Sequence, residues 1–387
     1  MIEWEKYKEV VRLDINQFRD TVQLSKLGGI VQISNMIDLD QSSLDEIGEM
    51  IALANQIRNY PKEYCESCRG KIMATLFYEP STRTKMSFQT AMLRLGGEVI
   101  GFDNPQSSSV SKGESLKDTV TVVSGYADIL VVRHPLEGAA EAAAMYSRSP
   151  VINAGDGGHL HPTQTLTDLV TLYNEKGRLD HLCIGLCGDL KYGRTVHSLI
   201  KTMTRYRGNS FVLISTPELA LPNYVKDIMH AAGCKFVEVP SLSEAMPMLD
   251  VLYMTRIQKE RFASEAQYEA QKGVYVLDKE KLNMGKRDLK VLHPLPRVDE
   301  ITPDVDEDPR AAYFKQTVYG MYARMALIFS MLMNPQYKRK KPPVRDSHPA
   351  KCSNPKCITQ TETYLPKLFF ASGDMLECKY CDGRTLI

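Results

Sequence analysis

The chain has 387 residues, 43% of them hydrophobic and 25% charged, with a formal net charge of +1. That composition is globular and the length calls for two or three domains. A charge this close to neutral excludes a global field for nucleic acid or a membrane surface, so any anion site has to be local. No apolar run approaches the roughly 20 residues that span a bilayer. The start, Met1-Ile2-Glu3-Trp4-Glu5-Lys6, is charged and lacks the apolar stretch of a secretory signal. A cytoplasmic location is expected, with no membrane or nucleic-acid partner.

In chain order, residues 1–32 carry only a weak helical pattern and read as an N-terminal extension. Lys71–Tyr78 reads as a strand and Met86–Leu95 as a helix closed by Gly96-Gly97. Glu98–Phe102, Ala127–Val132 and Pro150–Ala154 read as strands, and Thr163–Tyr173 as a helix. Strands recur at Leu182–Leu186, Phe211–Ser215, Lys235–Val239, Val251–Met254, Val274–Leu277 and Leu289–Leu292. Continuous apolar strands between helices predict parallel sheets covered on both faces. The expected fold is α/β: two doubly wound parallel-sheet domains, 33–162 and 163–316, plus a small C-terminal zinc-ribbon-like β domain at 350–387. A long amphipathic helix at 317–334 is expected to pack back onto the first domain. Residues 335–349 are basic and Pro-rich and read as an extended linker.

Ligands of such sheets bind beyond the carboxyl ends of the strands, and the polar motifs gather there. Ser81-Thr82-Arg83-Thr84 follows a strand and opens a helix, where unpaired N–H groups and a partial positive charge favour an anion. Taken alone, the hydroxyls read first as simple N-caps, from Ser81 or Thr82. An arginine in the first helical turn opposes the dipole, a conflict that an anion in front of it removes. In the second half, Gly188–Ser198 follows one strand and Arg256-Ile257-Gln258 another. Arg194 and Arg256 offer planar forks that suit carboxylates, and Gln258 adds an amide. A dicarboxylate fits that set, with an Arg256–Glu260 ion pair as the plain structural alternative.

Nine cysteines in a cytoplasmic chain are thiols or metal ligands rather than disulfides. Four fall in the tail, as Cys352-x4-Cys357 and Cys378-x2-Cys381. Two short thiolate pairs make a closed tetrahedral zinc site, structural rather than catalytic. One zinc per chain is expected, supplying most of the folding energy of a segment too short for its own core. Cys65-x2-Cys68 has no second pair and reads as a coincidence in a loop.

Four strings recur in a fixed order: Pro80-Ser81-Thr82-Arg83-Thr84, Arg133-His134-Pro135, His161-Pro162-Thr163-Gln164 and His293-Pro294-Leu295-Pro296-Arg297. Together, over roughly residues 30–334, they resemble the carbamoyltransferase family. Pro-Leu-Pro-Arg and Arg256-Ile257-Gln258 resemble its aspartate branch. The Ser-Met-Gly and His-Cys-Leu-Pro motifs of the ornithine branch are not in the sequence. The resemblance implies a carbamoyl-phosphate-binding domain at 33–162 and an aspartate-binding domain at 163–316. It implies transfer of the carbamoyl group from carbamoyl phosphate to L-aspartate, a step of pyrimidine biosynthesis that needs no organic cofactor. It also implies a homotrimer or a dimer of trimers.

By the same resemblance, Ser81, Thr82, Arg83 and Thr84 would bind phosphate. Thr84, Arg133 and His161 would stabilise the carbonyl oxygen, and Arg83, Thr84, Arg133, His161 and Gln164 form the expected catalytic set. Gln164 and the carbonyls of Pro294 and Leu295 would hold the carbamoyl NH2. Ser108 and Lys112, in the polar loop 106–114, would reach a neighbouring subunit's site, Lys112 touching both substrates, with Ser107 or Ser109 as alternatives to Ser108. Arg194, Arg256 and Gln258 would bind aspartate. Glu79 would bridge to Arg194 and Arg261 on domain closure. Residues 350–387 resemble the zinc domain of that branch's regulatory chain. The resemblance places a nucleotide-binding effector domain ahead of it; only the basic linker stands there, so nucleotide feedback is not expected.

Two other readings remain at this stage. A different amine acceptor would keep the phosphate end and change Arg194, Arg256 and Gln258. A non-enzymatic nucleic-acid binder would use the zinc tail with the Lys338–Lys341 run.

Overall fold

The computed structural model describes residues 33–257, 262, 264–334, 350–373 and 375–386. The expected N-terminal extension, Gln258, Glu260, Arg261 and the basic linker 335–349 lie outside them. The chain forms two compact units, one made of residues up to Thr163 together with Met321 onward, the other of Gln164–Gly320.

Unit 1 is built on a four-stranded parallel sheet of order β2-β1-β3-β4, with β1 Ile72–Phe77, β2 Glu98–Phe102, β3 Ile129–His134 and β4 Val151–Asp156. The inner strands β1 and β3 and the edge strand β4 are buried almost throughout, as a sheet covered on both faces requires. Met36 lies along β4, its N–H donating to Val151 O at 2.9 Å and its O accepting from Asn153 N at 2.8 Å. Four helices flank the sheet: α1 Leu44–Asn59, α2 Thr82–Arg94, α3 Leu116–Val123 and α4 Ala139–Tyr146. Helix α1 starts on a reciprocal capping box between Ser43 and Glu46.

Unit 2 has a five-stranded parallel sheet of order β7-β6-β5-β8-β9: β5 Cys183–Cys187, β6 Ser210–Ile214, β7 Lys235–Val239, β8 Val251–Met254 and β9 Lys290–Leu292. Its helices include α5 Pro162–Lys176, α6 Arg194–Met203, α7 Asn223–Ala231 and α8 Lys279–Met284. The long helix α9, Tyr313–Leu332, starts in unit 2 and ends in unit 1. There Arg324 Nη1 donates to Ser87 Oγ at 3.2 Å and Phe329 meets Tyr64 edge-on.

One expected strand does not form. Val274–Leu277 contributes only a single bridge, Leu277 to Ile301. The segment is squeezed between Gly273, at φ 72°, and Asp278, whose side chain caps α8. Val274 N donates to Gln271 O at 3.3 Å, so the chain is still turning out of the preceding helix where the strand was expected.

The tail folds into a three-stranded antiparallel sheet, β10 Phe369–Ser372, β11 Met375–Cys378 and β12 Arg384–Leu386. It packs against α4, whose sequence Ala-Ala-Glu-Ala-Ala-Ala-Met-Tyr is buried from Ala139 to Met145. A helix that is apolar at every position but Glu141 needs cover on nearly every side. The cover comes from unit 1's own Leu130 and Val132 and from Cys357, Ile358, Leu365, Leu368 and Tyr380 of the tail, all in one hydrophobic cluster. Gly138 opens the helix at φ 83°, and a Cβ there would lie 2.5 Å from Tyr380 Cβ. The residue has to be glycine both for its backbone and for the tail to approach.

Candidate active site

In unit 1 the motif residues stand at the carboxyl ends of three parallel strands. Ser81-Thr82-Arg83-Thr84 turns from β1 into α2. Ser81 is the N-cap residue, and its side chain makes no capping hydrogen bond. The capping explanation of these hydroxyls therefore does not hold for Ser81. Arg83 is exposed and Thr84 half-buried. No acidic residue lies in the first turn of α2.

Arg133, at the end of β3, is half-buried. Its Nη2 pairs with Glu79 Oε1 at 2.7 Å, Nη1 donates to Ala154 O at 3.2 Å, and Nη1 lies 3.5 Å from His161 Nε2. Partial desolvation lowers the affinity of the otherwise exposed Arg83 for its proton, and repulsion from Arg133 adds to it. Burial does the same to Arg133, and Glu79 works against it. Two guanidinium groups thus feel each other, with one carboxylate beside them. An anion placed there relieves the repulsion.

His161 is buried and closes a turn organised by Asp156. Asp156 Oδ1 accepts from Leu160 N at 3.1 Å and from Asn153 Nδ2 at 3.0 Å; Oδ2 accepts from Gly138 N at 2.8 Å and lies 3.1 Å from His159 Nδ1. His134 is buried too, its Nδ1 accepting from Leu136 N at 3.0 Å. Burial drives its pKa down to about 4, with Asp156 pulling the other way. It is a neutral structural residue at neutral pH.

The polar loop forms two short turns, Pro105–Ser107 and Ser109–Lys112, ended by Gly113 at φ 89°. Ser108 is spent inside the loop: it donates to Pro105 O at 2.8 Å and accepts from Val110 N at 3.4 Å. Lys112 and Ser109 are exposed. The loop lines a cavity of about 640 Å³ together with Phe102, Thr119, Val122 and Tyr126.

In unit 2 Arg194 is the first residue of α6, and Arg256 lies two residues beyond β8; both are half-buried. The β5 and β8 ends are tied together. Thr255 N donates to Cys187 O at 2.9 Å, and Asp189 N donates to Thr255 Oγ1 at 3.0 Å. Gly188, at φ 112°, makes this possible, since a Cβ there would sit 2.4 Å from Thr255 O. Gln258 and Arg261 lie outside the described residues.

Gln164 hangs on Asp168, one turn along α5. Asp168 Oδ1 accepts from Gln164 Nε2 at 2.8 Å and from Gln316 Nε2 at 2.6 Å, and Oδ2 accepts from Tyr253 OH at 3.0 Å. A second relay holds Pro294 and Leu295. His293 Nδ1 accepts from Leu295 N at 2.8 Å, and His293 Nε2 meets Glu300 Oε1 at 2.7 Å. Glu300 Oε2 accepts from Val298 N and Asp299 N, folding the segment back on itself. Leu295 sits at φ 56° and its bond to Pro296 is cis. Neither Asp168 nor Glu300 was singled out from the sequence. Asp168 carries only the i, i+4 spacing to Gln164 as a signal, and Glu300 none.

The four tail sulfurs lie within 4.8 Å of one another, and all four cysteines are buried. Cys352 and Cys381 are 3.6 Å apart and Cys357 and Cys378 3.9 Å. Tetrahedral zinc with Zn–S bonds of about 2.3 Å sets sulfurs about 3.8 Å apart. Four sulfurs and no carboxylate or imidazole make this a structural zinc site. It is the one such group among the described residues. Cys65 is exposed and Cys68 buried, and they join no cluster. No described helix is long and apolar enough to cross a membrane.

Comparison with known proteins adds the following. The family model described as aspartate/ornithine carbamoyltransferase, carbamoyl-P binding domain, matches residues 34–174. The Asp/Orn binding domain of the same description matches 180–331, and the metal binding domain of the aspartate carbamoyltransferase regulatory chain matches 349–385. The aspartate carbamoyltransferase catalytic subunit of Clostridium novyi (strain NT) is 56% identical over 303 residues, covering 78% of this chain and 99% of that protein. That of Clostridium perfringens (strain ATCC 13124) is 58% identical over 299 residues, covering 77% and 97%. The catalytic subunit of M. jannaschii aspartate transcarbamoylase superposes with a TM-score of 0.75 at 47% identity, over 79% of this chain and 100% of that one. Aspartate transcarbamoylase from Trypanosoma cruzi, solved with N-(phosphonacetyl)-L-aspartic acid, superposes at 0.73 and 40% identity, over 78% and 96%.

Proposed function

This chain belongs to the aspartate/ornithine carbamoyltransferase family, and from that premise we infer that it carbamoylates L-aspartate. Carbamoyl phosphate and L-aspartate give N-carbamoyl-L-aspartate and phosphate, the step that commits aspartate to pyrimidine synthesis. The observation that carries this reading is a helix start that Ser81 leaves uncapped, with Arg83 in its first turn, and the Arg133 guanidinium set between Glu79 and His161 at the end of β3. It is an anion site with more positive charge than its own side chains neutralise.

The chemistry needs no covalent intermediate. The aspartate amine attacks the carbamoyl carbon, the carbonyl oxygen gains charge, and phosphate leaves with the bonding pair and takes up the proton that the amine gives up. Arg83, Ser81, Thr82 and Thr84 take the phosphate. Arg133, Thr84 and His161 face the oxyanion, and Gln164 with the carbonyls of Pro294 and Leu295 receives the NH2. Arg194, Arg256 and Gln258 bind the two carboxylates of aspartate. Lys112 and a serine of 107–109 come from a neighbouring subunit of a trimer. Glu79 and Arg261 take part in closing the site. Orientation supplies much of the rate, roughly 7–11 kcal/mol in well-aligned cases. A cytoplasmic setting agrees with a site of four reduced cysteines.

The reading is tested by calorimetric titration with N-(phosphonacetyl)-L-aspartate, which joins both substrates' charges in one molecule. Submicromolar binding that Arg83→Ala and Arg256→Ala each weaken supports it. Binding that ignores Arg256→Ala removes the aspartate half.

A further inference from the structure

The tail does more than cover α4. It touches three stretches of unit 1 that lead directly into the candidate site. The first is α3, which begins four residues after Lys112. Glu362 Oε1 accepts from Leu116 N at 3.1 Å and Tyr364 OH accepts from Lys117 N at 2.9 Å. The third N–H of the helix, from Asp118, goes to Ser115 Oγ at 3.1 Å. The tail therefore supplies two of the acceptors for the first three N–H groups of α3. Lys117 Nζ is held over the rings of Tyr146 and Tyr364, at 5.3 and 5.6 Å, and those rings meet edge-on.

The second stretch is Glu137, four residues beyond Arg133. Its N–H donates to Lys356 O and its O accepts from Ile358 N, both at 2.9 Å, extending the tail as a bridge onto unit 1. Its carboxylate is shared. Oε2 accepts from Asn354 Nδ2 at 2.6 Å, and Oε1 accepts from Gly158 N at 3.3 Å. The third is His159, two residues before His161. Its Nε2 lies 3.0 Å from Asp382 Oδ2, while Nδ1 faces Asp156. Asn354 and Asp382 both belong to the two cysteine knuckles, so the metal-binding end of the tail grips the turn 156–161.

We propose that the zinc tail is a positioning element of the carbamoyl phosphate half-site, with Glu362 fixing the backbone behind Lys112 and Asp382 fixing the turn that presents His161. None of these tail side chains touches substrate; they act through Leu116 and His159. The proposal rests on the site assignment given above, and its readouts separate the two.

The test uses the full-length, zinc-loaded chain carrying Glu362→Ala with Asp382→Ala, and the matched pair Glu362→Gln with Asp382→Asn, which keeps an acceptor oxygen at each place. Zinc content, steady-state kinetics and calorimetric affinity for inorganic phosphate are read on each. The alanine pair is expected to hold one zinc, to lose about tenfold in kcat/KM for carbamoyl phosphate and to bind phosphate more weakly. The amide pair is expected to recover to within about twofold of the parent. Parent-like kinetics and phosphate affinity in the folded alanine pair overturn the proposal. So does a loss that the amide pair fails to recover. If the alanine pair does not fold, Asp382→Ala alone decides by the same criteria, since that side chain is half exposed. A parent protein inactive toward aspartate refutes the assigned reaction, and phosphate affinity across the same variants still decides the role of the tail.

Discussion

Glu79 Oε1 lies 2.7 Å from Arg133 Nη2, an ion pair that joins the end of β1 to the end of β3 inside unit 1. Glu79 is the carboxylate beside a guanidinium that also lies against His161. It steadies Arg133. In the proposed cycle Glu79 changes partners when the site closes. Glu79→Ala is therefore expected to lower kcat by about tenfold or more while the KM for carbamoyl phosphate moves less than about threefold. Steady-state kinetics on the folded variant settle it; an unchanged kcat removes Glu79 from the cycle.

Asp168 is fully buried and accepts from Gln164, Gln316 and Tyr253 at once. Removing it takes an acceptor away from three donors, each costing about 1–3 kcal/mol where nothing replaces it. Asp168→Ala is expected to lose about 3 kcal/mol or more in urea unfolding, and to raise the KM for carbamoyl phosphate because Gln164 loses its anchor. A stability loss under about 1 kcal/mol contradicts the hub.

His134 gives a pH dependence with a definite sign. Burial holds its folded pKa at about 4, against 6.5 for the ordinary group. Between those values the unfolded chain binds a proton that the folded chain refuses. Its contribution to stability is complete above pH 6.5 and is lost as pH falls toward 4, with a limiting slope of about 1.4 kcal/mol per unit. His134→Asn is expected to flatten the stability profile in that window, read from urea midpoints between pH 4.5 and 7. An equally steep profile in the variant assigns the slope to other groups.

Chelation is expected to unfold residues 350–387, because the tail's three short strands depend on four sulfurs held at one point. Hydrogen exchange should report loss of protection in β10–β12 and in α4, whose outer face the tail covers. Protection unchanged after zinc removal contradicts a metal-dependent tail.

The α/β architecture was legible because parallel strands buried on both faces write themselves as unbroken apolar runs, as in Ile72–Phe77 and Val251–Met254. Val274–Leu277 had the same look and failed, since composition does not reveal that the turn from Gln271 through Gly273 runs into it. The cysteine cluster was legible because its chemistry lies in two short spacings. The supports were not. Glu79 and Arg133 are separated by two helices and a strand, and Glu362 reaches α3 from the far end of the chain. Such pairings have no period. The alanines of α4 offered a faint signal, a helix with Glu141 as its one charged residue, which asks for a covering element that the sequence does not name.

The most direct measurement of the central claim is carbamoyl transfer by the purified chain, with L-aspartate and L-ornithine offered together at saturating carbamoyl phosphate. The account predicts N-carbamoyl-L-aspartate and equimolar phosphate, no citrulline, and loss of product in Arg256→Ala. Product from ornithine, or none from aspartate in a folded, zinc-loaded protein, contradicts it.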